Sequence, residues 1–299
     1  MPSLDDLKKR IKSVKSTQKI TKAMKMVAAA KLKKAQDNAE KGRPYSNKLQ
    51  NIILNLTKSI SDNDNAPELL VGNGKDQVYL CVVLTADRGL CGGFNSNISK
   101  LAKKHFKNIL KEGKDLKIIT VGSKGFDQIK TDYGKYIIEK ISFKDKKKIS
   151  FKEANEIGNK IINLFEQGKF DKCYMFFNNF KNVITQVPQA EQIIPTFIKE
   201  DKKDEPKVHS YEFEPDEDEI LEDLLPKNVS VQIFKAFLEN AASEQGSRMT
   251  AMDNATRNAG DLVDKLTINY NRSRQASITK ELIEIISGAE SLWWIKREW

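Results

Sequence analysis

One string in the 299-residue chain has the residue types and spacing to handle a phosphate. Thr85-Ala-Asp-Arg-Gly-Leu-Cys-Gly-Gly-Phe-Asn95 is rich in glycine, follows a strand-like apolar run and precedes a helical one. A nucleotide fold places its phosphate loop at such a turn, where backbone N–H groups and a helix N-terminus favour an anion. The string fits neither G-x-G-x-x-G nor G-x-x-x-x-G-K-[ST], and no acidic residue ends the next apolar run to hold a ribose. It reads better as a tight backbone turn, or as a contact loop presenting Asp87 and Arg88. Acid–base and nucleophilic chemistry has little to work with, since His105 lies in a lysine-rich helix and His209 in an acidic stretch. No Ser/His/Asp, Cys/His or metal cluster assembles from them. The dense carboxylates of residues 212–223 read as a solvated acidic surface and Lys144 to Lys148 as a solvated loop. Cys81, Cys91 and Cys173 form no CxxC pair and no zinc spacing, which excludes a disulfide scaffold and fits a reducing compartment.

The formal charge of +10 is local. Residues 1–57 hold 14 Lys/Arg against 4 Asp/Glu, which already accounts for it, and residues 200–226 hold 3 against 12. A partner of this chain therefore has to be acidic only where the first segment meets it. Taken alone, that segment could bind nucleic acid, but it lacks interleaved aromatics and its cations flank a helical seam. Apolar runs reach about five residues against the roughly 20 needed to span a bilayer, so no transmembrane helix is expected. The N-terminus favours Lys over Arg, carries Asp5 and Asp6 and lacks an apolar h-region, so no cleaved targeting segment is expected either.

The elements that must position these residues follow from proline and periodicity. No proline stands between Pro2 and Pro44 or after Pro226, which predicts a long helix at each end. Ser3 with Asp6 resembles a capping box, so the first helix should begin near Leu4. Within it, Leu4, Leu7, Ile11, Val14, Gln18, Thr21, Lys25, Ala28, Leu32 and Ala35 form a heptad seam that turns polar in its middle, with Ile20, Met24 and Val27 widening the apolar face there. Leu238, Ala242, Gln245, Met249, Met252, Thr256, Ala259, Val263, Leu266, Tyr270 and Ser273 form a second seam rich in small residues. A helix of about 70 residues would be roughly 105 Å long, so two such helices can stabilise each other only by antiparallel pairing. Between them, strand-like runs at Gln77–Leu84, Leu116–Val121, Ile137–Phe143 and Cys173–Phe177 alternate with helical runs at Ser96–Lys111, Ser123–Lys130 and Phe151–Gln167. The expected fold is a long antiparallel coiled coil of the terminal helices with an inserted Rossmann-like α/β domain. The divisions are a coiled-coil helix over 1–58, the α/β domain over 76–199, an acidic connector over 200–226 and a second coiled-coil helix over 227–299.

Four strings then resemble one family. They are Lys19-Ile-Thr-Lys-Ala-Met-Lys-Met-Val-Ala-Ala-Ala-Lys31, Asp87-Arg-Gly-Leu-Cys-Gly-Gly93, Ser243-Glu-Gln-Gly-Ser-Arg-Met-Thr-Ala-Met252, and Arg274-Gln-Ala-Ser-Ile-Thr-Lys-Glu-Leu282 with Ile286-Ser-Gly-Ala289. In this order they look like the gamma subunits of F-type ATP synthases, from about Leu4 to Leu292. The resemblance implies a central rotor shaft: a coiled coil entering a ring of three alpha and three beta subunits, with the epsilon subunit and the membrane c-ring as further partners and no nucleic acid. ATP would form on beta, so this chain would need no catalytic residue, cofactor or metal. The resemblance puts Met24 and Lys25 where the shaft passes the acidic levers of beta, Arg88 and Cys91 in a loop near the same lever, and Arg248, Gln275 and Thr279 on C-terminal helix positions that couple rotation. Cys91 reads as a small packed residue rather than a reactive one. The implied location is the cytoplasmic face of a bacterial plasma membrane. Trp293-Trp-Ile-Lys-Arg-Glu-Trp299 extends beyond the point where family chains commonly end.

Overall fold

The computed structural model describes residues 3–60, 67–146, 149–196 and 217–295. Among the described residues twelve elements follow one another, beginning with α1 (Leu4–Ile60), a single turn α2 (Glu68–Val71), β1 (Val78–Leu84), α3 (Phe94–Lys111), β2 (Asp115–Val121) and α4 (Ser123–Tyr133). A 3-10 turn at Gly134–Tyr136 leads into β3 (Ile137–Ile141), α5 (Phe151–Glu166), β4 (Lys172–Phe180), β5 (Gln186–Ile194) and α6 (Glu217–Ile295). The chain divides into two compact units. One takes α1 through Val27 with α6 from Ala251, and the other runs from Ala28 to Thr250.

The larger unit is built on a five-stranded sheet of order β3-β2-β1-β4-β5. β1 pairs parallel with β2 and β4, β2 pairs parallel with β3, and β5 closes the edge antiparallel to β4. Alternation along β1 explains why the strand is apolar at nearly every position. Leu80, Val82 and Leu84 join one core with Ala154, Ile157 and Ile161 of α5 and Val229, Ile233 and Ala236 of α6. Tyr79, Cys81 and Val83 join another with Ile98, Ala102 and Phe106 of α3 and Ile129 of α4. Cys81 and Cys173 therefore lie in separate cores, and all three cysteines are free and buried. Alongside, Leu49, Ile53 and Leu56 of α1 pack on Leu221, Leu225 and Val231 of α6.

β5 is absent from the sequence reading. Its string Gln-Val-Pro-Gln-Ala-Glu-Gln-Ile-Ile has no period-two alternation and holds Pro188. A proline is tolerated in a strand only at an edge, which is where β5 lies. α6 also begins earlier than expected, at Glu217, and runs through Pro226, so residues 217–226 of the acidic connector are helical. Leu221 and Leu225 are fully buried there, and that packing outweighs the cost of an internal proline. The remainder of the connector, with His209, lies outside the described residues, as do residues 296–299 of the tryptophan tail.

The smaller unit is a helix pair. Leu4, Leu7, Ile11, Val14, Gln18, Thr21, Met24 and Lys25 are each buried or half-buried, while Lys8, Lys9, Arg10, Lys12 and Lys15 are exposed. Ser3 Oγ accepts the Asp6 N–H at 3.1 Å, which satisfies one of the orphan donors at the helix start. Pairing is antiparallel: Lys25 meets Asp253, the Thr21 and Thr256 hydroxyls are 2.8 Å apart, and a Cβ on Gly260 would lie 3.1 Å from Gln18 Nε2.

Candidate functional site

The strand ends of the larger unit carry its most specific polar geometry. In a doubly wound sheet the first crossovers lead to opposite faces, so the C-terminal ends of two neighbouring strands leave a crevice between them, and ligands of such folds bind there. Here the crevice lies between β1 and β4, and α6 fills it. Asn240 Nδ2 donates to Leu84 O (3.2 Å) and its Oδ1 accepts the Asn178 N–H (3.0 Å). Ser243 Oγ donates to Asn178 O at 3.2 Å, and Glu239 Oε2 accepts the Phe180 N–H at 3.1 Å. Glu239, Asn240 and Ser243 are all buried. Arg43 of α1 closes the arrangement with Nε 2.8 Å from Glu239 Oε1, and that hydrogen bond leads the causes that raise its pKa further.

The loop after β1 is fixed from below by an internal anion. Asp87 accepts hydrogen bonds from the Ser123 N–H (2.8 Å) and hydroxyl (2.7 Å), the Ser142 hydroxyl (2.8 Å) and the Phe143 N–H (2.9 Å). Burial pushes its pKa up, but these four bonds together outweigh burial and hold it below the ordinary carboxylate value. Of the two sequence readings, a tight backbone turn or a contact loop presenting Asp87 and Arg88, the second is corrected for Asp87, which turns inward. The first-turn N–H groups of α4 need an acceptor, and the chain supplies its own. Gly122 makes the close approach possible: its φ is +103°, and a Cβ there would lie 2.3 Å from Thr85 O.

Beyond Asp87 the loop turns outward. Arg88 is exposed, and Leu90 is 65 % exposed with φ +62°, a conformation that costs a non-glycine residue energy. Cys91 is buried, with Asn95 Nδ2 donating to its Sγ at 3.2 Å, and burial pushes the thiol pKa up, so it is held as a thiol. α6 clasps the loop through Ser247 Oγ, which donates to Cys91 O (2.7 Å), and through Arg248, which donates to Gly89 O (3.3 Å) and pairs with Glu244 (2.7 Å). Arg88, Cys91 and Arg248 thus belong to one cluster.

The other four candidate residues lie on the helix pair. Met24 is half-buried at the seam. Lys25 Nζ is 2.6 Å from Asp253 Oδ1, and this bond is the leading cause of the lowered pKa of Asp253. Lys25 is therefore engaged within the pair. Gln275 and Thr279 are exposed one turn apart, and the Thr279 hydroxyl donates to Gln275 O at 3.0 Å. Ile20 and Val27, expected to widen the seam, instead point away from it at 57 % and 55 % exposure, with Met26 exposed beside them. From Ile278 to Ala289 every residue is exposed, including Leu282, Ile283, Ile285 and Ile286. Sequence reasoning did not single out Glu239, Asn240 and Arg43. The available signal was the helical spacing of the polar residues 239, 240, 243 and 247, which follow the apolar positions Val229, Ile233, Ala236 and Phe237 of α6.

Among the described residues no group of three His, Cys, Asp or Glu is placed to hold a metal, and no helix is long and apolar enough to cross a membrane. The ATP synthase family profile matches residues 3–292. The chain is 69% identical over 292 residues to the ATP synthase gamma chain of Pelagibacter ubique, covering 98% of this chain and all of that one. It is 56% identical over 296 residues to that of Rhizobium etli, with 98% and 100% covered. Among solved structures it is similar to the central stalk and c-ring assembly of the Tetrahymena thermophila mitochondrial ATP synthase (TM-score 0.60, 24% identity, 79% of this chain and 99% of that chain). It is also similar to a chain of the Euglena gracilis mitochondrial ATP synthase (TM-score 0.65, 19% identity, 97% and 94%). The two end helices, the five-stranded sheet and near-complete correspondence with these relatives make the conclusion plain: the chain belongs to the ATP synthase gamma chain family.

Proposed function

We infer that this chain is the central rotor shaft of a proton-translocating F-type ATP synthase, turning inside three alpha and three beta subunits and linked to the c-ring and an epsilon subunit. The observation that carries the reading is the helix pair itself. Its seam is narrow and partly polar, while Ile20, Met26 and Val27 and the apolar residues after Ile278 are open to partners. A shaft with a different face on each side makes different contacts with three surrounding catalytic subunits. Each step then favours a different conformation of each, and free energy passes through that difference in contact. The same contacts let the shaft regulate ATP hydrolysis and proton flow.

In this reading Met24, Arg88, Gln275 and Thr279 meet the surrounding ring, and Lys25 adds its charge from within its pair with Asp253. Arg248 and Cys91 hold the loop that presents Arg88. The chain carries no catalytic residue of its own: ATP forms on beta. The complex sits at the cytoplasmic face of a bacterial plasma membrane, with this subunit peripheral. Isolation of the chain from its native membranes tests the reading. Recovery with alpha and beta at three each per copy is expected, and recovery without them would sink it.

A further inference from the structure

We propose that Asn240, flanked by Glu239 and Ser243, is the lock that keeps α6 from turning against the α/β sheet, so that a twist applied to the sheet is delivered to the helix instead of being lost as slip. The inference rests on the rotor reading and names the residues that would make a rotor of this build stiff.

The argument starts from what holds α6 to the sheet. Val229, Ile233, Ala236 and Phe237 bury against the sheet and α5. Apolar burial is non-directional, and it resists separation far more than it resists rotation about the helix axis. Hydrogen bonds weaken steeply once their angles are spoiled. The polar contacts of α6 at 239, 240 and 243 with the strand ends, and at 247 with the loop after β1, share one flank of the helix at i, i+1, i+4 and i+8. Rotation of α6 would therefore strain all of them together.

Asn240 has the central place because it holds two strands at once, the β1 carbonyl of Leu84 and the β4 amide of Asn178. These groups lie where the two strands part. Asn178 is buried at this point, and its backbone carbonyl is taken by Ser243. A leucine at 240 would retain bulk and lose both bonds, leaving a buried amide and a buried carbonyl unpaired. The crevice that a ligand-binding sheet of this topology leaves open for substrate is thereby converted into a socket for the chain's own helix.

The test uses the complete synthase in sealed vesicles carrying Asn240→Ala, with Ser243→Ala as a milder variant that removes only the bond to Asn178 O. ATP hydrolysis and ATP-driven proton pumping are measured on the same vesicles as the opposing proton gradient is raised. Pumping per ATP should fall about threefold for Asn240→Ala near the limiting gradient, and less for Ser243→Ala, with hydrolysis retained. A merely structural role would reduce the number of assembled complexes and lower both rates together, leaving their ratio unchanged. An unchanged ratio in both variants overturns the lock. If Asn240→Ala fails to assemble, the ratio in Ser243→Ala decides alone. Failure of the unsubstituted complex to couple hydrolysis to pumping would instead overturn the rotor reading.

Discussion

The two units of the chain bury polar groups for different ends. In the larger unit Glu239, Asn240 and Ser243 are at most 8 % exposed, and each accepts or donates at a named backbone atom. In the helix pair the polar seam residues Thr21 and Lys25 are satisfied across the seam by Thr256 and Asp253, side chains that remain partly open to water. Buried, fully bonded polar groups specify one arrangement, because any other leaves a donor or acceptor stranded. Solvated polar seams specify register at low cost and tolerate change. The comparison implies that substitutions at the strand ends act on the stability of the larger unit and on its grip on α6, and those along the helix pair act mainly on what it touches.

The harshest way to break this contrast is Gly122→Ala. Its φ of +103° and the approach of Thr85 O to 2.3 Å from an added Cβ leave no room for relaxation except by moving strand ends. A loss of about 4 kcal/mol is expected by denaturant unfolding of the full chain. Asn240→Leu comes next, at about 3 kcal/mol, because two buried backbone groups lose their partners. A loss below about 1 kcal/mol in the same unfolding measurement would show that water reaches the crevice.

Asp87→Asn is smaller, about 1–2 kcal/mol, since an amide keeps one acceptor oxygen but turns an NH2 toward donors. The sign with pH is definite. The folded pKa of Asp87 lies below its unfolded value of about 3.9, so its contribution is present above that value and fades as pH falls through the folded one. Unfolding curves of the parent chain should therefore converge on those of Asp87→Asn in strong acid and separate from them at neutral pH. The smallest effect is expected for Asp253→Asn in the helix pair. Its pKa is also depressed, by Lys25 first, so the difference from the parent exists above about pH 4. Salt should erase most of it, as for any solvated pair, whereas the Asp87→Asn difference should persist in salt. Equal salt sensitivity for both would remove the distinction between the units.

Periodicity made the helix pair legible: the heptad positions from Leu4 to Lys25 are the shielded ones, and the neighbouring lysines are exposed. The alternation of strand and helix runs placed β1 to β4 and α3 to α5 within a few residues, because each segment is amphipathic or fully apolar in its own right. β5 escaped because an edge strand beside Pro188 needs no such pattern. The crevice was illegible for a different reason. Leu84 and Asn240 lie 156 residues apart, and no local rule links a strand-end carbonyl to one asparagine on a distant helix. Asp87 shows the same limit, since its string identified a loop but the donors that turn it inward come from Ser123, Ser142 and Phe143.

The pairing of the two ends of the chain has a consequence for its synthesis. Arg43 waits 196 residues for Glu239, and Lys25 waits 228 for Asp253. At about 5–20 residues per second, the second interval is roughly 10–50 seconds on the ribosome. Throughout that time α1 has no partner for its seam, while the sheet between can already close around β1. The excess of cations over anions in residues 1–57 keeps such a solitary amphipathic segment dispersed by self-repulsion. The lysines that line the finished helix thus also serve the nascent chain, holding its first segment in solution until its last one emerges.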